Sequence, residues 1–212
     1  MKDNRVQHIT IQKINDAGVT ETADKVAVEE PLEIQLEYST QTGRMQKNIA
    51  VTMRTPGNDH ELAAGFLFTE GIIKNKAAIK EIKQSTADEN SVLIILQENI
   101  QPTLSNAARN FYSTSSCGIC GKASIESIRT ISQYTEQKDQ FIINAAVLYT
   151  LQAALKDHQK VFEDTGGIHA CALFDVAGNI ITLREDVGRH NALDKIVGAA
   201  LLNDELPLSN CV

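Results

Sequence analysis

Apolar and polar side chains alternate strictly along Leu32-Glu33-Ile34-Gln35-Leu36-Glu37-Tyr38. Alternation with a period of two predicts a β-strand that buries one face. Near-alternating stretches flank it on both sides, and Thr42 with Gly43 marks a turn before the next one. The sequence therefore predicts an antiparallel β region over about residues 8–54, whose other apolar positions are Ile9, Ile11, Ile14, Val26, Val28, Ile49, Val51 and Met53.

Further along the chain the pattern changes to helices and strands in alternation. We predict a helix from about Asp59 that stops at Gly71, a buried strand over 91–97, and a helix through Ile125, Ile128 and Ile131. An amphipathic helix capped by Asn144 follows, and its apolar face consists of Val147, Leu148, Leu151, Ala154 and Leu155. The last predicted elements are a hairpin of 168–174 with 180–183 and a helix through Ala192 and Ala200. This order predicts a β-rich region over 1–100 joined to an α/β domain over 101–212.

Composition and charge exclude some classes of function. A formal net charge of −7 argues against a nonspecific nucleic-acid binder. The polar start Met1-Lys2-Asp3-Asn4-Arg5 does not resemble a signal peptide, and no apolar run approaches the roughly 18 residues of a membrane helix. We expect a cytoplasmic protein, in which a C-x-x-C pair is more often catalytic, redox-active or metal-bound than a structural disulfide.

The cysteine pair is the strongest chemical signal. It lies in Ser115-Ser116-Cys117-Gly118-Ile119-Cys120-Gly121-Lys122-Ala123-Ser124, where a loop is predicted to lead into a helix. A helix N-terminus and a nearby cation lower the pKa of a thiol from about 8.5 to roughly 3.5–7.5, which favours the nucleophilic thiolate. Cys117 and Cys120 are therefore the candidate catalytic residues, and Arg109 could supply a further cation.

Two further motifs predict a binding site. In the first, Asp164-Thr165-Gly166-Gly167-Ile168-His169-Ala170-Cys171, a glycine pair after a helix leads into a strand, and glycines permit close backbone approach and positive φ. The second lies between a strand and a helix and is Arg184-Glu185-Asp186-Val187-Gly188-Arg189-His190-Asn191. Amides at a helix start and a guanidinium both favour phosphate, although a charged connector capped by Asn191 is the alternative. The candidate binding residues are Gly166, Gly167, His169, Arg189 and His190.

Three motifs together resemble the FdhD family of formate dehydrogenase accessory sulfurtransferases. They are Ser-Ser-Cys-Gly-Ile-Cys-Gly-Lys from Ser115, Asp-Thr-Gly-Gly-Ile-His-Ala-Cys-Ala-Leu-Phe from Asp164, and Glu-Asp-Val-Gly-Arg-His-Asn-Ala-Leu-Asp-Lys from Glu185. The earlier Glu30-Pro31-Leu32-Glu33-Ile34, Met53-Arg54-Thr55-Pro56-Gly57 and Leu62-Ala63-Ala64-Gly65-Phe66-Leu67 are similar to that family too. The resemblance spans nearly the whole chain.

The resemblance implies a sulfur carrier with a fold similar to cytidine deaminase and a homodimeric state. It implies that Cys117 carries a persulfide taken from a cysteine desulfurase of the IscS type, with Cys120 as its partner. The sulfur would pass to the molybdenum bis-molybdopterin guanine dinucleotide cofactor and so activate formate dehydrogenase. We expect no permanently bound cofactor and no metal ligand; the molybdenum cofactor is the acceptor, and a guanine nucleotide is a further candidate ligand.

The family pattern also continues beyond the last residue of this sequence. Members usually run on through another strand and helix to a segment with glycine and arginine associated with cofactor binding, whereas this sequence stops at Val212. The resemblance therefore leads us to expect that the C-terminal part of the α/β domain is missing.

Other functions remain open at this stage. Cys117, Cys120, His169 and Cys171 could form a tetrahedral zinc site. A C-x-x-C pair also occurs in dithiol oxidoreductases, and the chain could be a non-catalytic binding module. Deaminase chemistry is disfavoured because it requires H-x-E followed by P-C-x-x-C, whereas here Cys171 occupies the glutamate position.

Overall fold

The computed structural model describes residues 4–16, 18–84, 89–104, 111–112 and 142–208. Its strands are β1 (Val6–Asn15), β2 (Gly18–Ala27), β3 (Glu30–Thr40), β4 (Gly43–Arg54), β5 (Ile79–Gln84), β6 (Ser91–Leu96), β7 (Phe111–Tyr112), β8 (His169–Phe174) and β9 (Ile180–Asp186). Its α-helices are α1 (Asp59–Thr69), α2 (Ala145–Lys156), α3 (Lys160–Thr165) and α4 (Arg189–Leu202), with a 3₁₀ turn over Lys76–Ala78.

Five strands form a mixed central sheet in the order β5-β6-β3-β4-β7. The β3–β4 and β5–β6 pairs are antiparallel, whereas β3 pairs with β6 and β4 pairs with β7 in parallel. Leu32, Ile34 and Leu36 are fully buried on one face of β3, as the alternation predicts. That face forms the main core together with apolar residues of β6 and α1.

Helix α4 joins the last part of the chain to this core. It packs against α1 and against both strands of the β8–β9 hairpin. The two helices cross at Gly65 and Gly198, where an added Cβ would lie 1.9 Å from the Asp194 carbonyl oxygen and 1.8 Å from the Glu61 carbonyl oxygen, respectively. Only glycine fits at this crossing, and Leu201 of α4 reaches the same core as α1.

Most elements predicted from the sequence are present where the structure describes them. The β1–β2 and β3–β4 hairpins fill the predicted antiparallel region. Helix α1 ends before Gly71, whose φ is +70°. Asn144 caps α2 by accepting a hydrogen bond from the Ala146 amide. Of the predicted apolar face of α2, Leu148 is 49% exposed, and the other four members are half-buried.

The mixed α+β class is therefore confirmed. The deaminase-like description and the boundary at residue 100 stay predictions, and the helix through Ile125, Ile128 and Ile131 lies outside the described residues. No helix in the described part of the chain is both long and apolar enough to cross a membrane.

Candidate functional site

The candidate catalytic cysteines belong to a motif outside the part of the chain that the structure describes. Cys117 and Cys120 lie outside the described residues, as does Arg109. The geometry of the candidate site therefore comes from the two later motifs, which the described residues cover in full.

The β8–β9 hairpin brings those two motifs together. The strands are antiparallel, and His169 at the start of β8 is paired with Asp186 at the end of β9. Residues just before β8 and just after β9 must therefore lie at the same end of the hairpin. All five candidate binding residues are at this end: Gly166 and Gly167 precede β8, His169 begins it, and Arg189 and His190 follow β9 at the start of α4.

One side of this end is the glycine turn, defined as Gly166 and Gly167. Gly166 ends α3 in the left-handed conformation, with φ of 66°, and its amide donates to the Phe162 carbonyl at 2.7 Å. The conformation needs glycine because a Cβ is strained at this φ. Among the described residues, no atom lies closer than 3.8 Å to a Cβ added at Gly167, so its backbone is open to close approach.

The other side is the α4 turn, defined as residues 187–190. Arg189 and His190 are the first two residues of α4, and both are exposed. Gly188 occupies the N-cap position and has no side chain with which to cap the helix. The first amides of a helix lack intrahelical acceptors and carry the positive end of its dipole. In this turn the Val187 and Gly188 amides are already bonded to Thr55 and Asp186, so what the turn presents to a ligand is the exposed guanidinium of Arg189.

A buried ion pair lies directly beneath the α4 turn. Asp186 is 0% exposed, and its Oδ2 forms an ion pair with Lys195 Nζ at 2.7 Å. Oδ1 accepts from the Gly188 amide at 2.8 Å and from Asn191 Nδ2 at 3.0 Å. Lys195 Nζ also donates to the Thr55 carbonyl at 2.9 Å. The pair is fully hydrogen-bonded, as a buried charge must be.

The turn is also attached to the end of β4. The Val187 amide donates to Thr55 Oγ1 at 3.2 Å, and the Thr55 amide donates to Asp186 Oδ2 at 3.2 Å. Asn191 Nδ2 donates to the Met53 carbonyl at 2.7 Å. The start of α4 is thus held by the central sheet as well as by its own hairpin.

Glu185 holds the glycine side in a similar way. Its two carboxylate oxygens accept hydrogen bonds from the amides of Val161 and Phe162, at 3.1 and 3.0 Å, in the first turn of α3. Glu185 is 9% exposed. A carboxylate at a helix N-terminus is favourable because it meets both free amides and the helix dipole.

Cys171 differs from a reactive thiol. It is half-buried on β8, opposite Arg184 of β9. Burial raises the pKa of the Cys171 thiol above its ordinary value and outweighs a hydrogen bond with the Ala172 backbone. A raised pKa disfavours the thiolate, which is the form that attacks sulfur or binds metal. Within the residues the structure describes, no group of three or more His, Cys, Asp or Glu side chains is placed to hold a metal ion.

Arg184 has a structural partner instead of a ligand. Its guanidinium contacts the Glu61 carboxylate through two hydrogen bonds of 2.6 and 2.8 Å. This contact with Glu61 raises the pKa of Arg184 further. The ion pair ties β9 to α1, so of the two arginines in the third motif only Arg189 is exposed to a ligand.

Sequence reasoning selected exposed residues of the candidate site and not the buried ones beneath them. Asp186, Asn191 and Lys195 were visible only as members of a motif, with Asn191 as a possible cap. Asn191 instead lies inside the first turn of α4 and bonds to β4 and Asp186. A signal was available: Lys195 lies on the same helical face as Ala192 and Ala199, and a charge on an apolar face requires a buried partner.

The arrangement is suited to an anionic ligand. The glycine turn offers open backbone, and the α4 turn offers the guanidinium of Arg189, both at one end of the hairpin. Phosphate groups are bound by this combination of donors.

Fold and site together define a mixed α+β protein with a glycine turn and a helix start at the same end of a β-hairpin. The chain belongs to the FdhD/NarQ family, whose model matches residues 27–212. It is similar to the sulfur carrier protein FdhD of Mycolicibacterium paratuberculosis, with 43% identity over 192 residues that cover 87% of this chain and 68% of the relative.

Other relatives with the same name are similar over more of the chain. The sulfur carrier protein FdhD of Streptomyces avermitilis is 40% identical over 94% of this chain and 71% of its own length. That of Saccharolobus solfataricus is 35% identical over 98% and 74%, respectively. A crystal structure provisionally described as a formate dehydrogenase accessory protein from Desulfotalea psychrophila has a TM-score of 0.67 at 24% identity, covering 94% of this chain and 70% of that one. The similarity to this crystal structure supports the mixed α+β fold.

Proposed function

We propose that this protein is a sulfur carrier that serves the maturation of formate dehydrogenase. In this proposal Cys117 takes a persulfide sulfur from a cysteine desulfurase, with Cys120 as its partner, and delivers it to the molybdenum bis-molybdopterin guanine dinucleotide cofactor. The proposal also includes a homodimer in the cytoplasm. Membership of the FdhD/NarQ family and the names of the relatives support the carrier role.

One structural observation carries the acceptor half of the proposal. The hairpin register brings Gly166, Gly167 and His169 to the same end as Arg189 and His190. A guanine dinucleotide presents phosphates, which need backbone amides and cations. The net charge of −7 makes such local donors necessary, because the overall field repels an anion.

The sulfur steps balance without an external oxidant. The Cys117 thiolate attacks the terminal sulfur of the desulfurase persulfide; a new S–S bond forms, the old one breaks, and the desulfurase cysteine leaves as thiolate. For delivery, the Cys120 thiolate attacks Cys117 Sγ and releases the terminal sulfur as sulfide, which binds the molybdenum. The terminal persulfide sulfur gains two electrons in becoming sulfide, and these electrons come from the two cysteines, which become a disulfide. A thiol reductant then restores both thiols.

Intact mass after treatment with a cysteine desulfurase and cysteine tests the loading step. We expect the wild type to gain one sulfur atom, mapped to the peptide that contains Cys117, and the Cys117→Ala variant to gain none. Cys171→Ala is the matched control, because its thiol has a raised pKa and we expect it to leave loading unchanged.

Metal analysis, a binding measurement with the desulfurase and the same mass measurement together separate the alternatives. Stoichiometric zinc that is lost in Cys117→Ser would contradict the persulfide role in favour of a metal site. A disulfide between Cys117 and Cys120 without any gain of sulfur would instead indicate an oxidoreductase. A complex with the desulfurase in which neither partner transfers sulfur would leave only a binding module.

A further inference from the structure

Two consecutive acidic residues at the end of β9 hold the two sides of the candidate site. Neighbouring residues of a strand point to opposite faces, so Glu185 and Asp186 reach in opposite directions. Glu185 accepts hydrogen bonds from the first amides of α3, and Asp186 accepts from the α4 turn. Helix α3 ends at Gly166, so both sides of the site are anchored to one short piece of strand.

We propose that Glu185, Asp186 and Asn191, here called the brace, act as positioning residues that set the distance between the glycine turn and the α4 turn. By setting this distance, the brace determines the affinity for the guanine nucleotide end of the cofactor. This inference rests on the proposed function, because it presumes that the two turns bind one ligand. The brace residues are buried, and none of them needs to contact the ligand.

Several independent contacts hold the α4 turn in place. Asp186 fixes the Gly188 amide at 2.8 Å, and Asn191 links it to the Met53 carbonyl on β4. An added Cβ at Gly188 would lie 2.9 Å from Asn191 Nδ2 and 3.4 Å from Asp186 Oδ1. Lys195 neutralises the buried carboxylate at 2.7 Å. The turn therefore has little freedom to move relative to the sheet.

The anchoring on the glycine side depends on fewer contacts. The two carboxylate oxygens of Glu185 serve one amide each, Val161 and Phe162. Helix α3 also packs against the β1–β2 hairpin, where Lys25 pairs with Asp164 at 2.5 Å in an exposed position. An exposed ion pair contributes little to stability. Of these two polar contacts of α3, the one with Glu185 is therefore the stronger.

Preorganised ligand contacts gain affinity because the ligand does not have to order them on binding. Loosening either side should weaken nucleotide binding without removing any contact to the nucleotide. Asp186→Asn is unsuitable as the first variant, since it leaves the charge of Lys195 buried and unpaired, which typically costs about 3–5 kcal/mol. Glu185→Gln and Asn191→Ala avoid that problem, because neither leaves a buried charge alone.

The test measures the dissociation constant of guanosine diphosphate by titration calorimetry, at a temperature well below the unfolding midpoint of every variant. Glu61→Gln is the matched control: it weakens an ion pair on the same strand, with Arg184, without touching either turn. Hydrogen exchange of segments 161–167 and 187–191 gives a second readout that does not depend on the ligand.

We expect Glu185→Gln and Asn191→Ala to weaken binding at least about tenfold, equivalent to about 1.4 kcal/mol. We expect faster exchange in 161–167 for the first variant and in 187–191 for the second, with Glu61→Gln unchanged in both readouts. If both folded variants bind guanosine diphosphate with the affinity of the wild type, the proposed role of the brace is contradicted and the proposed function is not. A wild type that does not bind guanosine diphosphate would overturn the nucleotide seat itself, and the brace with it.

Discussion

Asp194 is a carboxylate in an unusual place, between the crossing helices α1 and α4. Its Oδ1 accepts a hydrogen bond from Thr69 Oγ1 at 2.9 Å. Burial raises the pKa of Asp194 to about 7, with a smaller contribution from the nearby negative charge of Glu70. The unfolded chain binds this proton only below about pH 3.9, so between those values the folded protein holds more protons than the unfolded one.

The free energy of unfolding should therefore fall as pH rises from about 4 to about 7. Asp194→Asn keeps an acceptor for Thr69 and removes the titration. We expect the variant to lose this slope and to be more stable than wild type above pH 7 by up to a few kcal/mol, since one pKa unit corresponds to about 1.4 kcal/mol. Urea unfolding at a series of pH values measures the effect.

The control for this pH series is Asp204→Asn, which removes an exposed carboxylate just beyond the C-terminal end of α4. We expect it to retain the slope of the wild type. A slope that is the same in Asp194→Asn as in wild type would mean that another group is responsible for the loss of stability with pH.

Some residues of the candidate site could be selected from the sequence alone, and others could not. Gly166, Gly167, His169, Arg189 and His190 could be selected because each carries its chemistry in its own type and local position. The charge of Lys195 on an apolar helix face indicates a buried partner, but the contacts of Asp186 and Lys195 with Thr55 could not be derived, because Thr55 is 131 residues from Asp186 along the chain. A long-range contact of this kind leaves no local pattern.

Among the elements, the α1–α4 crossing makes the sharpest prediction. Alanine normally stabilises an exposed helix relative to glycine by about 1 kcal/mol. Gly198→Ala should do the opposite, because its Cβ would lie 1.8 Å from the Glu61 carbonyl oxygen and force the helices apart. We expect a loss of about 3 kcal/mol or more, measured by chemical unfolding.

Gly167→Ala is the control for stability alone, since the nearest described atom would lie 3.8 Å from the added Cβ. We expect its free energy of unfolding to stay close to that of the wild type. A stabilising effect of Gly198→Ala would contradict the close helix crossing.

Element types were easier to predict than their pairing. The alternation in β3 and the turn at Gly178 are local, and they correctly predicted a strand and the β8–β9 hairpin. The parallel pairing of β3 with β6 was not predicted, because β4, α1 and β5 separate the two strands along the chain and the pairing uses backbone groups that every residue carries.

At the scale of the whole molecule, one chain would combine two functions. Cys117 and Cys120 would carry the sulfur, and the end of the β8–β9 hairpin would seat the nucleotide part of the acceptor. Family membership supports the first, and the hairpin register supports the second. The two parts have to act on the same cofactor for the protein to be a carrier and not merely a persulfide store.

Transfer of radiolabelled sulfur tests this central claim most directly. The protein is loaded by a desulfurase and labelled cysteine, separated from the desulfurase, and mixed with formate dehydrogenase that contains the cofactor without its sulfur. We predict that the label leaves the chain, appears on the cofactor and restores formate oxidation, with Arg189→Ala loading normally but transferring more slowly. Label that stays on the chain while the cofactor remains unlabelled would contradict the carrier role.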